Sequence, residues 1–254
     1  MKKNIIAAMI VMALCLAFGI YNWFYFQEDI IAQGVLYAEA DKIECEFYVK
    51  DLLTDEYPAE LHINSLKEIR TEEGLKEVYS DVPYVAVVRV EEDFHMGKWW
   101  NVGNVRIVKL MKSDGKLQEG DNITITIGSG FSRKKGKKLK YTCTQWFNVP
   151  QKDNYYLMAF DHVCKKSLQK KMKKKNVMPP EIYTTVYTDV ECGLFKLTKE
   201  ENDFLVQKGE TYNFADLKDV EFFCCNEEAL KEWYLTKDAV LRYYVGDEYW
   251  RFSE

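Results

Sequence analysis

The chain of 254 residues is poor in proline and histidine, with five prolines and three histidines. So few prolines exclude a proline-rich linker or stalk, and three histidines are few for a histidine-based metal site. The catalytic patterns GxSxG, SxxK and HExxH are absent, as are the P-loop, GxGxxG and calcium-loop spacings. Positive charge is not in excess, since 35 Lys and Arg face 40 Asp and Glu. The net charge of −5 therefore gives no indication of a nucleic-acid-binding protein.

Hydrophobic residues are abundant, at 47% of the chain, and aromatic residues make up 15%. This composition excludes disorder for most of the chain, because enough apolar surface is available for burial. The length allows one large domain or two small ones with a sizeable core.

The strongest single signal is an apolar run of 22 residues from Ile5 to Phe26. As a helix it would span roughly 33 Å at about 1.5 Å per residue, which is enough to cross the hydrocarbon core. Its outer end is rich in Tyr, Trp and Phe, as is typical of the membrane interface. A cleaved signal peptide is the alternative, since Ala17-Phe18-Gly19 has the small-x-small form of a cleavage site. The aromatic stretch after that site favours a retained anchor over residues 1–27.

The charges beside this run predict its orientation. Lys2 and Lys3 precede it, whereas Glu28 and Asp29 follow it. The positive-inside rule then places the N-terminus in the cytoplasm. We therefore expect a single-pass protein of the cell membrane with residues 28–254 extracytoplasmic.

Six cysteines follow the anchor, and no pair has the CxxC spacing of a zinc ribbon or a thioredoxin-like motif. In an oxidising compartment six cysteines permit up to three disulfides, with 15 connectivities. Burial of most of them as small apolar residues is equally compatible with the sequence. The cysteines are Cys45, Cys143, Cys164, Cys192, Cys224 and Cys225.

The extracytoplasmic part divides into three segments and is mainly β, with a minor α component. Residues 28–82 predict a strand and short helices as a lead-in. Residues 83–197 carry short strands separated by Gly, Asp and Asn turns such as Ser113-Asp114-Gly115-Lys116, which predict an antiparallel barrel or sandwich. Residues 198–254 predict a short helix capped by Asn226 and a C-terminal hairpin with its turn at Gly246-Asp247, packed on the core.

Four stretches of this chain resemble a domain pattern of an uncharacterised family of exported or membrane-anchored Gram-positive (Firmicutes-type) proteins. They are LKEVYSDVPYVAVVRVEE, VRIVKLMKSDGKLQEGDNITITIG, NYYLMAFD and CGLFKL, and they cover roughly residues 70–197. The resemblance implies a partly open, OB-like β-barrel in a membrane-attached or secreted setting, and it implies no catalytic residues. The chain departs from the pattern by insertions at Phe131 to Lys140 and at Cys164 to Pro180.

Two lysine-rich insertions are the most conspicuous polar features. They are typical of solvated loops, but in an envelope protein they also fit an electrostatic contact with anionic polymers or lipid headgroups. The candidate polyanion-binding residues are Arg133, Lys134, Lys135, Lys137, Lys138, Lys140, Lys165, Lys166, Lys170, Lys171, Lys173, Lys174 and Lys175.

Two further features could carry function. Trp99 and Trp100 lie between two predicted strands, where neighbouring side chains point to opposite faces, so one ring is expected to be exposed, where it can stack on a sugar or lie in a membrane interface. The alternative is a large side chain that covers one barrel end. His162 and Cys164 would share one strand face, which permits thiol chemistry, although no oxyanion-binding motif accompanies them.

The sequence therefore predicts a binding or interaction protein of the cell envelope rather than an enzyme. It indicates no cofactor, no metal and no catalytic residues. The expected partners are the membrane and an envelope polymer or protein, not nucleic acid. A cell-envelope hydrolase or thiol enzyme of unrecognised type is the alternative.

Overall fold

The structure is a computed structural model. It describes residues 2–26, 44–48, 59–96, 101–133, 139–143, 147–162, 181–186, 192–207, 210 and 212–253.

Helices and strands alternate irregularly along the described ranges. The helices are α1 (Lys2–Phe26), α2 (Ala59–Ile69), α3 (Glu72–Glu77), α4 (Phe214–Leu217) and α5 (Glu227–Tyr244), followed by a 3-10 helix at Tyr249–Ser253. The strands are β1 (Glu44–Tyr48), β2 (Tyr84–Val90), β3 (Asn101–Lys112), β4 (Asn122–Ile127), β5 (Ser129–Arg133), β6 (Leu139–Cys143), β7 (Tyr155–His162), β8 (Tyr183–Thr185), β9 (Leu194–Lys196) and β10 (Tyr212–Asn213).

Five strands close into a β-barrel in the order β2-β3-β4-β8-β7, and β2 completes the ring by pairing with β7. All neighbours are antiparallel except β4 and β8, which run parallel. The closed five-stranded barrel confirms the mainly β prediction and decides between barrel and sandwich. The predicted barrel was antiparallel and partly open, whereas β4 and β8 run parallel and the ring is closed. Closure leaves β2 with hydrogen-bonded neighbours on both sides, which removes its exposed edge.

A smaller sheet lies beside the barrel, in the order β10-β1-β6-β5. Strands β5 and β6 form an antiparallel hairpin, with Arg133 opposite Leu139 at its end. Strand β1 pairs in parallel with β6.

Strand β2 explains how the barrel joins the helices. Its residues are apolar on both faces, because side chains alternate between the barrel interior and the outer surface. Ala86 and Val88 belong to the interior core, whereas Val85 and Val87 belong to an outer core formed with α2 and α5. A continuous apolar strand is the pattern expected where both faces are covered.

The C-terminal hairpin predicted for residues 239–252 is wrong. Helix α5 continues to Tyr244 and buries the stripe Trp233, Lys237, Val240 and Leu241, which has helical spacing. Gly246 has a φ of +120°. It lies just past the helix end, and its N–H bonds to the carbonyl of Leu241. A glycine in this conformation terminates a helix as readily as it forms a hairpin turn. The predicted cap is confirmed, because Asn226 Oδ1 accepts the N–H of Ala229 at 2.9 Å.

Helix α1 is apolar and exposed over its described side chains. Met9, Leu14, Phe18 and Tyr21 each expose more than half of their surface. Among the described residues, none of the helices combines the length and hydropathy of a membrane-crossing segment. The anchor over residues 1–27 stays a prediction.

Acidification should destabilise the packing of α2 on the barrel through His62. The ring is fully buried and stacks on Phe222, and burial lowers its pKa from 6.5 to about 4. The folded state therefore binds this proton less well than the unfolded state, so stability is complete above about pH 6.5 and falls as pH drops toward 4. We expect a loss of about 2 kcal/mol between pH 7 and pH 5 from this group, measured by urea unfolding of the full chain in detergent micelles.

Variants isolate this effect from carboxylate titration. His62→Phe keeps an aromatic ring against Phe222 and should remove that part of the pH dependence. His95→Phe, at an exposed histidine, should leave the pH profile unchanged. Equal pH profiles for the wild type and His62→Phe would contradict the prediction.

Candidate functional site

One end of the barrel gathers the ends of four strands. Strand register places Tyr84, at the start of β2, opposite Phe160 near the end of β7. His162 at the end of β7 lies opposite Tyr183 at the start of β8, and Tyr183 lies beside Ile125 of β4. The turn between β3 and β4 borders the same end, so segments distant in sequence meet here.

That turn has the chemistry its sequence predicts. Gly115 has a φ of +90°, a conformation that glycine adopts without steric cost. Asp114 Oδ1 accepts the backbone N–H of Lys116 at 3.0 Å, and Ser113 Oγ accepts the N–H of Gly115 at 3.0 Å. These side-chain acceptors fix the turn and hold Lys116 at the rim of the barrel end.

Asp114 links the turn to the barrel interior. Its carboxylate accepts hydrogen bonds from the Lys116 ammonium and from the Tyr84 hydroxyl, and these bonds lower its pKa to about 2. Burial and the bond to Asp114 together raise the pKa of Tyr84 well above its ordinary value. Asp114 is therefore ionised and Tyr84 protonated throughout the physiological range.

An aromatic cluster closes the barrel beneath this end. The ring of Tyr84 stacks on Phe160 at a centroid distance of 5.3 Å, and Tyr183 meets both rings edge-on at 5.7 Å. Tyr84 and Phe160 are almost fully buried. The barrel is thus a filled core rather than a channel, and ligands would be received at its surface.

A cleft of about 650 Å³ opens above this cluster. Its volume falls in the range of small-molecule sites, which is about 300–1,000 Å³. Its lining mixes charged, polar and apolar groups. The lining residues are Lys116, Leu117, Asp121, Asn122, Ile123, Thr124, His162, Glu181 and Tyr183.

His162 is the residue of this cleft that the sequence had singled out. Its ring lies 5.1 Å from that of Tyr183. Its Nε2 is buried and has no hydrogen-bond partner in the part of the chain that the structure describes. Cys164, the other half of the predicted thiol pair, lies outside the described residues.

The predicted polyanion-binding lysines fall mostly outside the described ranges. Arg133 ends β5 and Lys140 lies in β6, so these two belong to the β5–β6 hairpin. The segment between β7 and β8 contains the seven lysines at 165–175, and both of those strands end at the cleft. Trp99 and Trp100, in the segment between β2 and β3, also lie outside the described residues.

The described thiols show no site of their own. Cys192 and Cys224 are buried, and Cys225 is exposed. The Cys224 thiol donates to the carbonyl of Asn226, and burial raises its pKa to about 11. A thiol protonated to this extent is a poor nucleophile at neutral pH.

No sequence motif singles out most of the cleft residues. Asp114 and Lys116 stood out only as a turn, and Asp121, Glu181 and Tyr183 belong to no motif. Barrel closure brings them together over long sequence distances, which no local pattern records. Within the described residues, no group of three His, Cys, Asp or Glu side chains is arranged to hold a metal ion.

A scan of protein-family models and a search of curated proteins both give no match to this chain.

Proposed function

We propose that this chain is a membrane-tethered, extracytoplasmic binding protein that receives its ligand at the end of an OB-like barrel. The observation that carries the proposal is the cleft of about 650 Å³, which lies at a closed barrel end where β4, β7, β8 and the turn between β3 and β4 present polar side chains. The lysine-rich segments add contacts to anionic envelope polymers or lipid headgroups in this proposal. The family resemblance over residues 70–197 fits the same setting.

The tether is supported by α1 and its flanking charges. All side chains from Met9 to Tyr21 are exposed, and none of them is charged. Such a helix is stable where apolar lipid surrounds it, and Lys2 and Lys3 favour a cytoplasmic N-terminus. Protease added to intact cells should degrade residues 28–254, and protection of the whole chain would contradict the tether.

The polyanion contact is supported by the position of the lysines in the chain. The segment between β7 and β8 leaves the barrel at His162 and returns at Glu181, and both residues line the cleft. Each Lys near an anionic surface contributes about 1 kcal/mol at moderate salt. Several lysines in one segment would therefore give strong, salt-dependent binding.

Neutralising part of this segment should weaken polyanion binding by at least about tenfold. The variant replaces Lys170, Lys171, Lys173 and Lys174 with glutamine. Binding of the full chain, in uncharged detergent micelles, to inorganic polyphosphate would be measured by fluorescence anisotropy across a salt series. We expect the wild-type affinity to fall steeply with salt and the affinity of the variant to fall less steeply.

A matched control removes the same charge elsewhere. Lys76, Lys109, Lys152 and Lys231 are all exposed, and none lines the cleft. Replacing these four with glutamine should change the affinity by less than about threefold, because distant exposed charges are largely screened. An equal loss in both variants, or binding that ignores salt, would contradict the polyanion contact.

A further inference from the structure

The cation at the rim of the cleft is already neutralised. Lys116 Nζ lies 2.7 Å from Asp114 Oδ2, while Asp114 Oδ1 holds the backbone N–H of the same lysine. An anionic ligand at the cleft would have to compete with Asp114 for this ammonium group.

Two further carboxylates give the described lining of the cleft a surplus of negative charge. Asp121 uses Oδ2 to accept the N–H of Gln118 at 2.9 Å, which leaves Oδ1 for another donor. Glu181 is exposed and forms no ion pair within the described residues. Burial raises the pKa of Tyr183, the negative charges of Glu181, Asp114 and Asp121 raise it further, and the positive charge of Lys116 opposes them. Both lining carboxylates therefore act on the same point of the cleft.

The uncharged groups of the cleft offer both donors and acceptors. The buried Nε2 of His162 lacks a partner in the described part of the chain and can accept an N–H or O–H when Nδ1 carries the proton. Asn122 is exposed and presents an amide, which can donate to and accept from hydroxyl groups. The ring of Tyr183 lies 5.1 Å from that of His162, and the face of a tyrosine ring favours a cation.

We propose that the cleft binds a small polyhydroxylated ligand that carries an ammonium group, as an amino sugar does. The ammonium lies between Glu181 and Asp121, and the hydroxyl groups bond to Asn122 and His162. This inference rests on the proposed function, because it assumes that the cleft is the ligand site, and it adds the chemistry of the ligand. The cleft thereby differs from the lysine segments, which would attract anions.

Three sugars that differ at one carbon test the proposal: 6-amino-6-deoxyglucose, glucose and glucose 6-phosphate. The full chain in uncharged micelles would be labelled with ¹³C at histidine Cε1, which gives three signals because the chain has three histidines. Slightly above neutral pH, the amino sugar should move the His162 signal in a saturable way and leave that of buried His62 unchanged. We expect glucose to bind at least about fivefold more weakly and the phosphate sugar more weakly still.

Variants assign the effect to the carboxylates. Glu181→Gln and Asp121→Asn should each weaken binding of the amino sugar by about 3- to 10-fold, with no change in glucose binding. Glu77→Gln, at an exposed carboxylate outside the cleft, should leave both affinities unchanged. The unfolding midpoint of each variant would confirm that the fold is retained.

Each remaining outcome overturns the inference in a recognisable way. Equal binding of the three sugars, or tightest binding of the phosphate, would refute the ammonium preference but keep the cleft as a ligand site. A His162 signal that no sugar moves would refute the inference and remove the cleft from the proposed function. The polyphosphate experiment would still decide the lysine contact independently.

Discussion

Replacing Lys237 with methionine should lower the free energy of unfolding by about 3–5 kcal/mol. Lys237 Nζ lies 2.5 Å from Glu221 Oε2, and the two side chains expose only 3% and 11% of their surface. Glu221 Oε1 also accepts the backbone N–H of Lys196 at 2.6 Å. This carboxylate joins β9 to helix α5, and loss of the lysine would leave it charged and buried. Urea unfolding of the full chain in micelles measures the effect.

Two comparisons distinguish the destabilisation caused by the unpaired Glu221 carboxylate from the effect of removing any lysine charge. The double variant Lys237→Met with Glu221→Gln should be less destabilised than Lys237→Met alone, because a glutamine oxygen can still accept the Lys196 N–H without a buried charge. Lys76→Met breaks an exposed pair with Glu72 and should cost less than about 1 kcal/mol. If the double variant were as unstable as Lys237→Met, the unpaired, buried carboxylate of Glu221 would not be the cause of the loss of stability.

Truncating Trp233 to alanine should cost a similar amount, about 3–5 kcal/mol. Its ring is fully buried and lies parallel to Phe222 at 4.4 Å, with Phe195 at 5.4 Å. The Trp233→Ala substitution would leave a cavity between α5 and the outer face of the barrel. The neighbouring aromatic rings could fill this cavity only in part. Thermal and urea unfolding should both report the loss.

Trp233→Phe should be much milder, since a smaller ring can keep the stacked contact with Phe222. Tyr243→Ala, on the exposed side of the same helix, should change stability by less than about 0.5 kcal/mol. Equal losses at positions 233 and 243 would contradict packing on the barrel as the cause, since alanine is the stronger helix former at both positions.

The β-rich segment was predictable from the sequence because the signals of its strands and turns are local, whereas the choice between a barrel and a sandwich was not. The apolar run of β2 and the Asp114-Gly115 turn both describe structure within a few residues. The end of the chain was not predictable in the same way. Val240 and Tyr244 suit a strand as well as a helix, and Gly246 suits a hairpin turn as well as a helix end. Packing of Trp233 and Leu241 on the barrel selects the helix.

The cleft could not be predicted from the sequence, for a different reason. Asp114, Glu181 and Tyr183 carry no motif, and they become neighbours only when β7 and β8 join the ring. His162 was singled out beside Cys164, but the structure associates it with Tyr183. The family resemblance, the exposed tryptophan and most of the polyanion-binding lysines stay predictions.

Closure of the β-barrel also limits when this protein can fold. Tyr84 pairs with Phe160, and the Thr236 hydroxyl donates to the carbonyl of Leu66, which is 170 residues away. Such contacts make folding slow, because a long loop must lose entropy before the contact forms. During synthesis, the helical layer on the barrel cannot assemble until helix α5 has left the ribosome. Termination before this helix would leave part of the outer face of β2 uncovered.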